Sequence, residues 1–171
     1  PITLKNSSLR KSELMLLDLL ANFDWERPLY FVSPSLLSSL GLQDYLQFDG
    51  YAYRLVPIRT PYTDLWNAGR IDPDVLYHNL MEVYRYGNVA DPRVYVDSFV
   101  DYTFNSTNIR IAFARLGAML ARSGEKEKAV EVLDYGMEQI PVSQFRYTYQ
   151  YLPYIRAYYE AGATEKGDAL L

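Results

Sequence analysis

Residues 113–141 read FARLGAMLARSGEKEKAVEVLDYGMEQIP, and this stretch decides the fold. Phe113, Leu116, Gly117 and Leu120 fall at i, i+3, i+4 and i+7, which is one face of a helix. Val130, Leu133 and Met137 lay a second apolar stripe further on. Gly117 has no side chain, so a neighbouring helix can approach closely there, and Ala129 is expected to offer the facing small surface. Gly124 ends the first helix. Pro141 cannot continue the second, so the chain turns. The reading predicts a helical hairpin over 108–123 and 126–139.

The spacing of Phe113, Leu116-Gly117, Leu120, Ala129, Leu133 and Pro141 matches the tetratricopeptide pattern. An imperfect echo follows at an offset of 38. Tyr151, Tyr154 and Tyr158 stand for Phe113, Leu116 and Leu120, and Ala161-Gly162 stands for Ser123-Gly124. Ile155 replaces Gly117, and Gly167 replaces Ala129. Pro153 falls inside the new first helix, which is therefore expected to be kinked or to start near Leu152. The second helix of this unit reaches Leu171 near its middle. The expectation is that the repeat continues elsewhere or has been cut, as the start at Pro1 without Met also suggests.

Upstream, the pattern is mixed. Residues 10–22 read as a helix, with Leu14, Leu17 and Ala21 on one stripe and Leu16 and Leu20 beside it. Pro28 to Val32 reads as a short strand. Leu42 to Phe48 reads as one or two helical turns. Tyr51 to Ile58 alternates as a second strand. Asp72 caps a helix with Pro73 in its first position, running to about Tyr86. Residues 95–102 fit a helical turn or an extended piece equally well. The expected fold is α+β, mainly α. A two-stranded mixed part over residues 1–106 precedes tetratricopeptide-like hairpins over 107–171.

The 171 residues are 49% hydrophobic and 22% charged, enough for one globular domain or two small ones. Seventeen basic against 21 acidic side chains give −4, which argues against nucleic-acid binding. No apolar run approaches the ~18 residues of a membrane span, and no secretory leader opens the chain. The absence of cysteine excludes disulfides, thiolate catalysis and Cys-ligated zinc. Tyrosine is abundant, with 17 against seven Phe and two Trp. Such a surplus suits half-buried walls, interfaces or sugar-binding surfaces, or simply a core built with Tyr.

No catalytic constellation stands out. His78 is the only histidine, and it reads as structural or solvated. No phosphate loop or nucleophile elbow is present. Asp97 and Asp101, and Glu127 and Glu131, are spaced four apart, as exposed helices often have by chance. The expectation is no catalytic residue, no metal and no cofactor. Asn6-Ser7-Ser8 and Asn105-Ser106-Thr107 are glycosylation sequons only where the machinery for it exists. The informative feature is a second stripe on the hairpin: Ala114, Ala118, Ala121 and Arg122, matched downstream by Leu152, Arg156, Tyr159 and Glu160. In helical solenoids this stripe lines the concave wall that holds extended peptides. Arg122 and Arg156 could grip carboxylates, Tyr159 could stack on an apolar group, and Ala118 would give a shallow floor.

Several segments carry a family resemblance. They are Lys11-Ser12-Glu13-Leu14, Trp25-Glu26-Arg27-Pro28-Leu29-Tyr30-Phe31, Leu40-Gly41-Leu42-Gln43-Asp44-Tyr45, Gly50-Tyr51-Ala52-Tyr53-Arg54-Leu55-Val56-Pro57 and Tyr77-His78-Asn79-Leu80-Met81. Over roughly residues 4–141 the chain resembles the soluble C-terminal region of bacterial multi-span membrane proteins similar to protein O-mannosyltransferases. That family's pattern usually has Asp where this chain has His78, which weakens any role for His78. The resemblance implies an extracytoplasmic, periplasmic region tethered to a membrane glycosyltransferase-like parent, with catalytic carboxylates outside this chain. It carries no catalytic residue onto this sequence.

The expected function is a non-catalytic module for protein or extended-peptide partners, with the membrane part of the same parent as a further expected partner. Two alternatives stay open. One is glycan binding through Trp25, Trp66 and the tyrosines of 147–159. The other is a purely structural role.

Overall fold

A computed structural model describes residues 8–61, 67–101, 109–145, 149 and 151–171. The two sequons, Trp66 and Tyr147 lie outside these residues, as does the expected boundary at 106/107. The chain divides into two compact units, 1–71 and 72–171, so the expected boundary falls within the second unit. The fold is α+β and mainly α, as the periodicity implies.

In the first unit, helix α1 spans Lys11–Ala21, and strands β1 (Tyr30–Phe31), β2 (Leu46–Phe48) and β3 (Tyr53–Leu55) form one antiparallel sheet of order β1-β3-β2. The sheet therefore has three strands, not the two expected. The helical turn expected over Leu42 to Phe48 is confined to a 3₁₀ turn at Gln43–Tyr45, and β2 follows directly. All three β2 residues are buried, so the run lacks the alternation that marks a strand with one wet face. The register pairs Phe31 and Phe48 with Tyr53, and Leu46 with Leu55, giving one apolar face. The other face pairs Arg54 with both Tyr30 and Gln47, and a bridge adds Arg70 beside Gln47. Asp49 is buried among them. Its Oδ2 accepts from the Tyr30 hydroxyl at 3.2 Å and its Oδ1 from Gln47 Nε2 at 2.9 Å, while Arg54 Nε lies 3.4 Å away. A buried carboxylate persists only with such partners.

The second unit opens with α2 (Pro73–His78), capped by Asp72, whose Oδ1 accepts from Val75 N–H at 3.3 Å. The helix expected to reach Tyr86 instead loosens into a π-helical turn at Asn79–Val83 and ends there. Within the undecided 95–102 segment, Ser98–Asp101 is a helical turn, α3, preceded by non-helical backbone at 95–97. It is started by Asp97, which accepts from the Phe99 and Val100 amides.

Helices α4 (Ile109–Ser123) and α5 (Lys126–Gln139) form the expected hairpin, and α6 (Tyr151–Ala161) and α7 (Thr164–Asp168) follow. Helices α4 and α5 close on each other through two glycines. A Cβ at Gly117 would stand 2.8 Å from Leu133 Cδ2, and one at Gly136 would stand 2.7 Å from Phe113 Cγ. The expected contact of Gly117 with Ala129 is thus corrected. Ala129 is buried, but the side chain that fills the space left by Gly117 belongs to Leu133, one turn further on. Gly136 also admits α6, since its Cβ would meet the Tyr154 hydroxyl at 2.3 Å. That hydroxyl donates to the Leu133 carbonyl at 2.6 Å.

Helices α4 and α6 end alike. Gly124 (φ +95°) and Gly162 (φ +83°) take the left-handed turn, and Glu125 and Ala163 return 2.9 Å amide bonds to the Leu120 and Tyr158 carbonyls. The two turns lie 38 residues apart, the offset of the sequence echo. Helix α6 starts at Tyr151, one residue before the expected Leu152. Pro153 is therefore its third residue, in the first turn, where helix amides have no carbonyl partner to lose.

Candidate functional site

Helices α4 and α6 lie side by side and present one wall of the second unit. Helix α5 runs antiparallel to each, as the pairs Gly117–Leu133, Gly136–Phe113 and Gly136–Tyr154 require, so α4 and α6 run parallel. The Arg122 guanidinium spans from α4 to Glu160 on α6. Its Nη2 donates to Oε1 at 2.8 Å, and its Nε stands 2.8 Å from Oε2. Arg156 Nε donates to the same Oε1 at 2.9 Å. Two cations therefore share one carboxylate. The bond from Arg122, reinforced by Arg156, holds the Glu160 carboxyl below its ordinary range, and the same bond pushes Arg122 up. Glu160 fixes both guanidinium groups while leaving most of each in water.

The predicted wall residues fare differently. Arg122 and Arg156 are brought together around Glu160, a carboxylate of the chain itself. Ala118 is half-buried. Ala114 and Ala121 are buried, so they do not form part of an exposed floor. Tyr159 is exposed along one edge. Its hydroxyl donates to Asp168 Oδ1 at 2.6 Å and its ring lies over Gly167, which ties it to α7. The bond to Asp168 raises the Tyr159 pKa. Met119 and Leu152, unremarked as an exposed pair in sequence, stand 38% and 58% exposed on α4 and α6. Exposed apolar and guanidinium side chains are thus carried together by α4 and α6.

Behind the wall sits Arg110, 1% exposed. Its Nη2 donates to the Ile140 carbonyl at the end of α5 at 2.8 Å, its Nη1 reaches Met137 Sδ at 3.3 Å, and its carbon lies 4.1 Å from the Tyr151 ring centroid. A cation at a helix C-terminus meets the negative end of the macrodipole. Ring faces add cation–π attraction. Burial lowers the Arg110 pKa, offset by the tyrosines and Asp101. Sequence reasoning passed over Arg110, because charge normally marks a surface position. The flanking apolar residues Ile109 and Ile111 were the available signal.

His78 bonds Glu82 through Nδ1 at 2.7 Å, one helical turn away and exposed. Glu127 and Glu131 lie exposed on α5. No group of three metal-ligating side chains converges among the described residues.

The first unit holds a separate cavity of about 390 Å³, lined by Leu20, Phe23, Trp25, Leu42, Tyr45 and Pro57 among others. Trp25 takes φ +66°, a left-handed conformation that is rare for a bulky side chain, and is 53% exposed beside Phe23 with ring centroids 4.8 Å apart. Trp25, one of the aromatic residues proposed for sugar stacking, thus lines a cavity.

Among the described residues, no helix is long and apolar enough to cross a membrane. Residues 1–75 match the family described as TMEM260-associated domain 2. No curated protein and no solved structure matches the chain.

Proposed function

We propose that the chain is a non-catalytic interaction module whose α4–α6 wall binds an extended polypeptide, within the extracytoplasmic part of a membrane glycosyltransferase-like protein. The observation that carries the peptide reading is that α4 and α6 expose Met119 and Leu152, each one helical turn before an arginine of the Arg122–Glu160–Arg156 cluster. Exposed apolar side chains next to fixed, well-hydrated guanidinium groups suit a ligand that is part apolar and part acidic. The link to TMEM260 through residues 1–75, and the resemblance to O-mannosyltransferase-like proteins, support the membrane-tethered setting. Tetratricopeptide-like architecture is supported by the hairpin and the 38-residue recurrence.

Panning a peptide library against the protein, followed by calorimetry, tests this reading. The expected result is enrichment of peptides combining acidic and apolar residues. Leu152→Asp should weaken their binding more than about tenfold, and Arg122→Ala/Arg156→Ala by a similar factor. No enrichment, or binding indifferent to these substitutions, contradicts it.

A second reading, glycan binding, draws on the Trp25 cavity. It requires heat on titration with oligosaccharides that disappears in Trp25→Ala.

A further inference from the structure

Helix α1 is apolar on two sides, and only one side faces its own unit. Glu13 is buried, and Leu16, Leu17 and Leu20 are half-buried on the inner side. The outer side carries Lys11, Leu14, Met15, Asp18 and Leu19 at i, i+3, i+4, i+7 and i+8, a continuous stripe. Its apolar members are strongly exposed: Leu14 at 53%, Met15 at 66% and Leu19 at 47%. A single exposed leucine needs no explanation, but a full stripe on one helix marks a covered face.

The charges say what covers it. Lys11 stands in the first turn and Asp18 in the last, each set against the helix's own macrodipole. Each lies three residues outside the Leu14–Met15 pair. A two-fold axis through the midpoint of that pair therefore places Lys11 of each copy against Asp18 of the other, with Leu14 and Met15 interleaved between. We infer that α1 is a self-association surface, through which two copies of this chain pair by antiparallel packing of their α1 helices. A lipid surface fits poorly, because the acidic Asp18 lies on the apolar stripe itself, beside Leu19. Bilayer-facing helices instead carry basic residues at the flanks and none of this acidity on the apolar face.

A single pair of short helices buries less area than a stable interface needs, so the dimer should be weak, with a dissociation constant on the order of 10–1,000 μM. Sedimentation equilibrium across that range is the test. Wild type should show a monomer–dimer equilibrium, and Met15→Glu should abolish it while circular dichroism stays unchanged. Lys11→Glu and Asp18→Lys should each weaken association by at least about tenfold, since each sets like charges opposite one another. The double variant Lys11→Glu/Asp18→Lys should restore it. A monomer at every concentration, a dimer insensitive to Met15→Glu, or a double variant no better than the single ones would each overturn the inference. So would loss of the stripe's effect on association together with binding to phosphatidylcholine vesicles.

Discussion

The two units bury polar groups by different means. In the sheet unit, Asp49 is held by hydrogen bonds from Tyr30 on strand β1 and from Gln47 two residues before it, and by the nearby Arg54. In the helical unit, Arg110 is held by the carbonyl at the buried C-terminal end of α5 and by tyrosine faces, groups that helix packing supplies at fixed positions. A sheet assembles its polar row from side chains that are cross-strand neighbours. A helix bundle places its buried cation where a helix terminus already offers an acceptor. The helical arrangement depends on close approach, which the glycines permit, whereas the sheet depends on register.

The largest expected effect breaks that close approach. Gly136→Val places new carbons against Phe113 and the Tyr154 hydroxyl, and overpacking of this kind should cost about 3 kcal/mol or more. Gly124→Ala is the matched control. It meets open space and carries only the left-handed backbone strain, about 1–2 kcal/mol. Denaturant unfolding of the two variants, followed by helical circular dichroism, should rank them in that order. Equal losses would mean that backbone strain, and not interhelix distance, limits both sites.

Next in size is the buried cation itself. Arg110→Met keeps the bulk but leaves the Ile140 carbonyl short of a donor and removes the ring contacts, an expected loss of about 2–3 kcal/mol. Unfolding midpoints with unchanged slope would check it. A more stable variant would show that desolvation of the guanidinium outweighs its partners, as happens for some buried ion pairs.

The smallest effect concerns the wall. Glu160 has its folded pKa held below the unfolded value of about 4.3, chiefly by Arg122. Its contribution is therefore present above the unfolded pKa and is lost as pH falls through the lower folded value. Because Arg122 and Arg156 are well exposed, the effect should stay under about 1 kcal/mol. Wild type and Glu160→Gln should differ in stability at pH 6 and converge as pH drops toward 3. A gap that persists at low pH would assign the difference to packing and not to charge.

These comparisons also explain what the sequence could disclose. The α4–α5 hairpin was legible because Phe113, Leu116, Gly117 and Leu120 repeat with helical period and Gly124 and Pro141 mark its ends. Which residue fills the space at Gly117 was not legible, since Ala129 and Leu133 lie on the same helical stripe and only the helix crossing selects Leu133. Strand β2 was missed because burial on both faces removes its alternation. The π-helical turn after His78 leaves no mark in the apolar spacing of Leu76, Leu80 and Val83. At the candidate site, Arg122, Arg156 and Glu160 were legible as members of one stripe, with Glu160 standing 38 residues after Arg122. That Glu160 engages both arginines was not, because it depends on side chains meeting between helices.

The most direct test of the peptide-binding wall is a nuclear magnetic resonance titration of the isotope-labelled protein with a peptide recovered from the library. The account predicts that amide and methyl shifts concentrate at Ala118, Met119, Arg122, Leu152 and Arg156, and that they vanish in Leu152→Asp. Shifts confined to the exposed face of α5 around Glu127 and Glu131, or to the Trp25 cavity, would contradict it.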